Sequence, residues 1–231
     1  MARRPRNRMP EIIDAATKVF ARTGYRLTQM ADVAREMGVA PGTLYLYVES
    51  KEALFDLVVR HGLETKTDKP LPEEVPVPTP EPGATLDYLN QVLDREGRWP
   101  LLTDALGRAR APDIARELEE ILVELHDLML RNRWGLRVLS RSALDWPQLA
   151  MLFLGELRRR LLVDLTRYIE LRVAAGQLRE VPDAWRAAAF LNESLATWVL
   201  HRFGDPGYAS LRDEPVKQTV IDALVHAYIE R

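Results

Sequence analysis

GVAPGTLYLYVESK, residues 38–51, reads as the stop of one helix, a tight turn and the start of another. Before it, Thr28 is an N-cap candidate for a short helix whose Met30, Val33, Ala34 and Met37 recur at inward-facing spacing. Gly38 ends that helix. Pro41 suits the first position of the next one, because the N–H it lacks would have no intrahelical partner there. Two helices joined by Gly38-Val39-Ala40 form a helix-turn-helix pattern. At about 100° per residue, Leu44 and Val48 share the inward face. Gly42, Thr43, Leu46 and Tyr47 fall opposite, with Tyr45 at the border. An outward face of this kind lets backbone approach a ligand closely while hydroxyls donate hydrogen bonds. It suits a DNA groove, where such hydroxyls hold phosphates and the first helical residues reach base edges. Ser50 is placed to cap the following helix, and Lys51 adds charge to the free N–H groups at its start.

Charge along the chain agrees. Residues 1–51 carry a net charge of +4, with Arg3, Arg4, Arg6 and Arg8 forming a basic arm, although the whole 231-residue chain is at −2. A basic end on an acidic body is the distribution expected when one end meets a polyanion.

The remaining sequence is helical in pattern. The first helix runs from about Pro10 to Thr23, with Gly24 beyond it, and another follows Ser50 to about Glu64. Later helices are expected over 113–131, from Asp145 to about Ala175, over 183–202 and from Asp213 to the end. Strand alternation is nowhere sustained, which predicts an all-α protein. Residues 67–84, TDKPLPEEVPVPTPEPGA, hold six prolines and four carboxylates. Proline removes backbone donors and biases its predecessor away from the helical region, so this segment is expected to be an extended connection. The domains expected are therefore 1–64, a linker at 65–84, and 85–231.

Residues 11–58 resemble the tetracycline-repressor (TetR) family of transcriptional regulators. The likeness lies in AA..VFA..GY of the first helix, T..DVA..MGV of the second, GTLY.Y of the third and SKEAL opening the fourth. It implies an N-terminal three-helix DNA-binding domain, joined by a fourth helix to a C-terminal helical domain that dimerises and often binds a small-molecule inducer. By position, Pro41, Gly42, Thr43, Tyr45, Leu46 and Tyr47 match the family's recognition contacts, Lys51 its phosphate contact, and Thr28 and Gln29 positions near the DNA backbone. Two departures stand out. Ala40 occupies a place where the family often has a polar residue. Leu46 is apolar where the family often places an aromatic or histidine, so its contact with a base would be van der Waals, as with a thymine methyl.

The resemblance also implies that the last two helices form a four-helix interface with a second copy. Leu191, Leu195, Trp198, Val220, Leu224 and Tyr228 are the candidates for that isologous apolar patch. Trp99, Trp134, Trp146, Phe153 and Tyr168 are candidates for lining an apolar ligand pocket. Cysteine is absent and the four histidines are scattered, so neither a metal site nor a cofactor is expected. No nucleophile–base arrangement or phosphate-binding glycine loop argues for an enzyme. No apolar run is long enough to span a membrane, which points to a cytoplasmic protein. The expected function is a ligand-responsive repressor acting as a homodimer on a palindromic double-stranded DNA operator, with an unknown inducer. The alternative is a helical scaffold or protein-interaction module without ligand response.

Overall fold

The computed structural model describes residues 8–61, 70–202, 207 and 213–229. These residues are helical, without a β-strand among them. In order they form α1 (Met9–Leu27), α2 (Met30–Glu36), a 3₁₀ helix (Pro41–Leu46), α3 (Lys51–His61), α4 (Ala84–Glu96), α5 (Pro100–Leu106), α6 (Ile114–Arg131) and α7 (Arg133–Ser142). Then come α8 (Pro147–Ala150), α9 (Arg159–Ala174), α10 (Ala184–Ala196) and α11 (Asp213–Tyr228). A π-helical stretch, Met151–Arg158, joins α8 to α9, and another, Thr197–His201, extends α10.

The helix limits follow local chemistry. Gly24 takes φ 78°, ψ 170°, so the regular first helix breaks there. Pro100 and Pro147 begin α5 and α8, where a missing N–H costs nothing. Asp183 caps α10, its carboxylate accepting from the Arg186 amide at 2.9 Å. The sequence-based expectation passed over α4, α5 and α7.

The described residues divide into two compact units: those within Met1–Glu96 and Asn132–Glu156, and those within Gly97–Arg131 and Leu157–Arg231. The described part of the proline-rich segment, residues 70–84, thus falls inside the first unit, and α7 joins that unit from the middle of the chain.

In the first unit, α1 buries Ile12, Ala16, Val19 and Phe20 against α3 and α7. From α3 come the buried Leu54, Phe55, Leu57 and Val58. Phe20 and Phe55 meet edge to face with ring centroids 5.1 Å apart. Each is worth about 3–5 kcal/mol against truncation to alanine.

In the second unit, α9 packs on α5 and α10, and α6 packs on α11. Its centre holds a fully buried arginine. Arg172 Nε donates to Glu117 Oε1 at 2.8 Å, Nη1 to the Arg108 carbonyl at 2.9 Å and Nη2 to the Ala105 carbonyl at 2.8 Å. Every charge of this pair is met by geometry, as a buried ion pair requires. Burial pushes the neighbouring Tyr168 phenol above its ordinary pKa, and the Glu117 charge adds to the rise.

Candidate nucleic-acid interface

The turn after α2 is a glycine-ended helix cap. Gly38 has φ 65°; its N–H donates to the Arg35 carbonyl and that of Val39 to the Ala34 carbonyl, at 3.1 and 2.9 Å. This double bond pattern satisfies carbonyls that a helix end would leave open, and it requires a residue tolerant of positive φ. Ala40 then sits in extended conformation and Pro41 opens the next helix.

That helix is 3₁₀ rather than α, and this redistributes its faces. At three residues per turn, positions i and i+3 eclipse. Leu44 and Tyr47 therefore share the inward face, buried to 0% and 5% exposure, and Val48 is buried after them. The outward position expected for Tyr47 came from α-helical spacing and is corrected here: its ring lies inside. Tyr45, expected at the border, is 51% exposed and Leu46 is 65% exposed, beside exposed Pro41 and Gly42 and half-buried Thr43. A Cβ added at Gly42 would meet nothing within 4 Å, so nothing in the protein's own packing demands a glycine there.

At the start of α2, the cap is Gln29 rather than Thr28. The Gln29 amide donates to Asp32 Oδ2 at 2.9 Å, and this bond, aided by Arg35, holds the Asp32 carboxyl below its ordinary pKa. The Gln29 side chain is exposed. Thr28 is 1% exposed and its hydroxyl donates to the Gly24 carbonyl at 2.6 Å. It is committed to closing the end of α1, which leaves it no role as a cap.

Lys51 stands at the first turn of α3. Ser50 caps that helix as expected, its hydroxyl accepting from the Ala53 amide at 3.1 Å. Lys51 Nζ donates to the Arg26 carbonyl at 3.2 Å and lies 4.6 Å from the Tyr25 ring centroid. The Tyr25 hydroxyl donates to Glu52 Oε1 at 2.8 Å, which holds the Glu52 carboxyl below its ordinary pKa, while burial pushes the Tyr25 phenol well up. Tyr25 also packs on Phe55 and Trp146 at centroid distances of 4.9 and 4.8 Å, and its amide donates to Ser142 Oγ at 3.0 Å. One tyrosine thereby ties the end of α1 to α3, α7 and the turn before α8. Of the basic arm, Arg8 pairs with Glu11 at 3.2 Å; Arg3, Arg4 and Arg6 lie outside the described residues.

The proline-rich segment is a feature sequence reasoning took for a bare connection. Val77 forms a parallel bridge beside Val48, and Thr79 bonds Glu49 and Ser50. The legible signal was that only Val77 and Thr79 among residues 76–80 possess an amide N–H.

The proposed pocket aromatics are divided between the two units. Trp99 and Tyr168 belong to the second unit, both buried, with Trp99 Nε1 donating to Asp164 Oδ2 at 2.9 Å. Trp134, Trp146 and Phe153 belong to the first unit, where Trp146 packs on Phe55 with centroids 5.6 Å apart. A cleft of about 580 Å³ in the second unit is lined instead by Leu101, Ala115 and Val123 with Glu119, Glu120 and Glu124 among its polar residues. Of the proposed dimer residues, Leu191, Leu195, Leu224 and Tyr228 are buried within their own unit, and the Tyr228 hydroxyl donates to the Ala187 carbonyl at 3.0 Å. Trp198 and Val220 are half-buried. The large apolar side chains that α10 leaves open are Trp185 and Phe190, 42% and 57% exposed. Among the described residues there is no cluster of His, Asp and Glu able to hold a metal, and no helix long and apolar enough to cross a membrane.

Residues 12–58 match the family model of bacterial regulatory proteins, tetR family. Over 57 residues the chain is 44% identical to the uncharacterized HTH-type transcriptional regulator YfiR of Bacillus subtilis, covering 25% of this chain and 28% of that protein. Over 105 residues it is 35% identical to the HTH-type transcriptional repressor KstR of Mycolicibacterium smegmatis, covering 45% and 50%. The chain thus spans between about a quarter and a half of the length of these curated relatives. Its fold is similar to the ketosteroid transcriptional regulator KstR2 of Mycobacterium tuberculosis, with a TM-score of 0.59 at 17% identity over 97% of this chain and 96% of that one.

Proposed function

From an N-terminal domain of the tetR family, we propose that this chain is a transcriptional repressor that binds a palindromic DNA operator as a homodimer and releases it on binding a small molecule. The observation that carries the reading is the outward face of the 3₁₀ helix. Gly42, Thr43, Tyr45 and Leu46 project from a glycine-ended helix-turn-helix, and Lys51 opens the next helix. Nothing internal uses Gly42. A missing side chain there favours close approach of backbone to a partner, and the surrounding side chains suit a major groove.

Within this reading Lys51 and Thr43 hold phosphates, while Tyr45 and Leu46 meet base edges. Gln29 reaches the DNA backbone from the start of α2. Tyr47 acts from inside, fixing the end of the helix. Two copies would set their recognition helices about 34–36 Å apart, one DNA turn. Exposed Trp185 and Phe190 on α10 are the residues we assign to the contact between copies, with half-buried Trp198 and Val220 at its edge. Repression rather than activation is supported by the relatives named as repressors. A small molecule that prefers a conformer with the wrong half-site spacing shifts the population and frees the DNA.

The experiment is a gel shift with duplexes from the DNA flanking the chain's own coding region, over a range of salt. The expected result is a sequence-specific complex of two chains per duplex, with affinity falling linearly in log salt. Equal, weak binding to every duplex would refute the repressor reading.

A further inference from the structure

Residues 77–79, between α3 and α4, are hydrogen-bonded to Tyr47, Glu49 and Ser50, just after Leu46. The Val77 amide donates to the Tyr47 carbonyl at 2.8 Å, and the Glu49 amide donates to the Val77 carbonyl at 3.0 Å. Two residues on, the Thr79 amide donates to Glu49 Oε2 at 2.9 Å, and the Thr79 and Ser50 hydroxyls lie 2.8 Å apart. Proline has no N–H, so within Pro76-Val77-Pro78-Thr79-Pro80 only two backbone donors exist. Both are directed at residues 47–49. The alternating prolines hold φ near −65° in the unfolded chain as well, which lowers the entropy lost when the segment docks.

What these bonds fix is the corner between the exposed helix face and Lys51. The 3₁₀ helix has six residues and closes on Leu44 through the Tyr47 and Val48 amides. So short a helix does not hold its own conformation and depends on what packs around it. Further along, Thr85 Oγ1 donates to Asp56 Oδ1 at 2.8 Å, fastening the start of α4 to α3.

We propose that residues 76–80 are a strap, and that Val77 and Thr79 are positioning residues that hold the recognition helix and Lys51 at the spacing DNA requires. The proposal rests on the DNA-binding reading above. The strap touches no DNA in this account; it acts through Tyr47, Glu49 and Ser50. Its removal therefore lowers affinity without removing a phosphate contact.

The test compares the full-length chain with Val77→Pro, which deletes the amide to Tyr47, and with Thr79→Val, which keeps shape and deletes the hydroxyl. Two quantities are read: amide exchange at Tyr47 and Val48, and affinity for a duplex the wild-type chain binds, as a function of salt. Loss of one hydrogen bond corresponds to roughly five- to tenfold faster exchange and a similar loss of affinity. Val77→Pro should show both with an unchanged salt slope and unchanged exchange in α1, and Thr79→Val the same in smaller measure. Unchanged exchange at Tyr47 and Val48 overturns the strap. So does faster exchange with unaltered affinity. A wild-type chain that binds no duplex, while Val77→Pro still loosens Tyr47 and Val48, refutes the DNA reading and upholds the strap's hold on the helix.

Discussion

Lys51 Nζ lies 4.6 Å from the centre of the Tyr25 ring and 3.2 Å from the Arg26 carbonyl oxygen, so the ammonium is held at the corner where α1 ends and α3 begins. A cation placed in advance loses little freedom on meeting a phosphate. Lys51→Ala should weaken binding about equally on specific and random duplexes and lower the salt slope by about 0.9. Fluorescence anisotropy across a salt series reads both. An unchanged slope would remove Lys51 from the set of phosphate contacts.

Leu46, 65% exposed, offers only methyl groups to a groove. Its natural partner there is the thymine methyl. Leu46→Ala should cost about 1–3 kcal/mol on the operator and little on random DNA. Replacing operator thymines by uracil, one at a time, should reproduce that loss at one position per half-site in the wild type and have no effect there in Leu46→Ala.

Gly24 is a strict backbone requirement. Its φ is +78°, and a Cβ would lie 2.9 Å from the Arg141 carbonyl oxygen. Gly24→Ala should lower the unfolding free energy by at least about 1–3 kcal/mol in urea denaturation, because strain and clash act together. A change below about 0.5 kcal/mol would mean that α1 and α7 part more easily than their packing implies.

The helix-turn-helix was legible because its signals are local. Gly38, Pro41 and Ser50 each do at their own position what a glycine stop, an N1 proline and an N-cap serine do anywhere. Tyr47 was misjudged because six residues with identical patterning can wind as α or 3₁₀, and the tertiary surroundings decide. Thr28 looked like a cap, yet its hydroxyl found the Gly24 carbonyl, a partner created by the break in α1. The buried arginine was invisible for the same reason: Arg172 meets Glu117 across 55 residues of sequence. Leu191 and Leu195 illustrate a different limit, since an apolar stripe does not say whether its own unit or a second copy will cover it.

Arg172 and Glu117 give a prediction for the second unit. Arg172→Met leaves the buried Glu117 carboxylate with only the more exposed Arg108, 3.3 Å away, as a cation, and should cost about 3–5 kcal/mol in unfolding free energy. The double change with Glu117→Leu should recover most of that loss, because an apolar pair needs no compensation. Equal destabilisation by single and double variants would mean that the bonds to the Ala105 and Arg108 carbonyls matter more than the ion pair.

Asp32 supplies a pH dependence. The Gln29 amide bonds its carboxylate, so its pKa is lower folded than unfolded. The stabilisation it adds is complete above the unfolded value of about 3.9 and disappears as pH falls through the lowered folded value. The stability difference between wild type and Asp32→Asn should accordingly be flat above about pH 5 and shrink below about pH 4. A difference that grows in acid would contradict the helix-capping role.

The most direct test of DNA recognition is a competition in anisotropy between an operator duplex and random duplex, measured for the wild type and for Gly42→Leu. A Cβ there meets no atom of the protein within 4 Å and the position is exposed, so folding is expected to survive, and near-UV circular dichroism and melting should match the wild type. If this face enters the groove, Gly42→Leu abolishes the preference for operator. An intact preference in the folded variant would contradict the account.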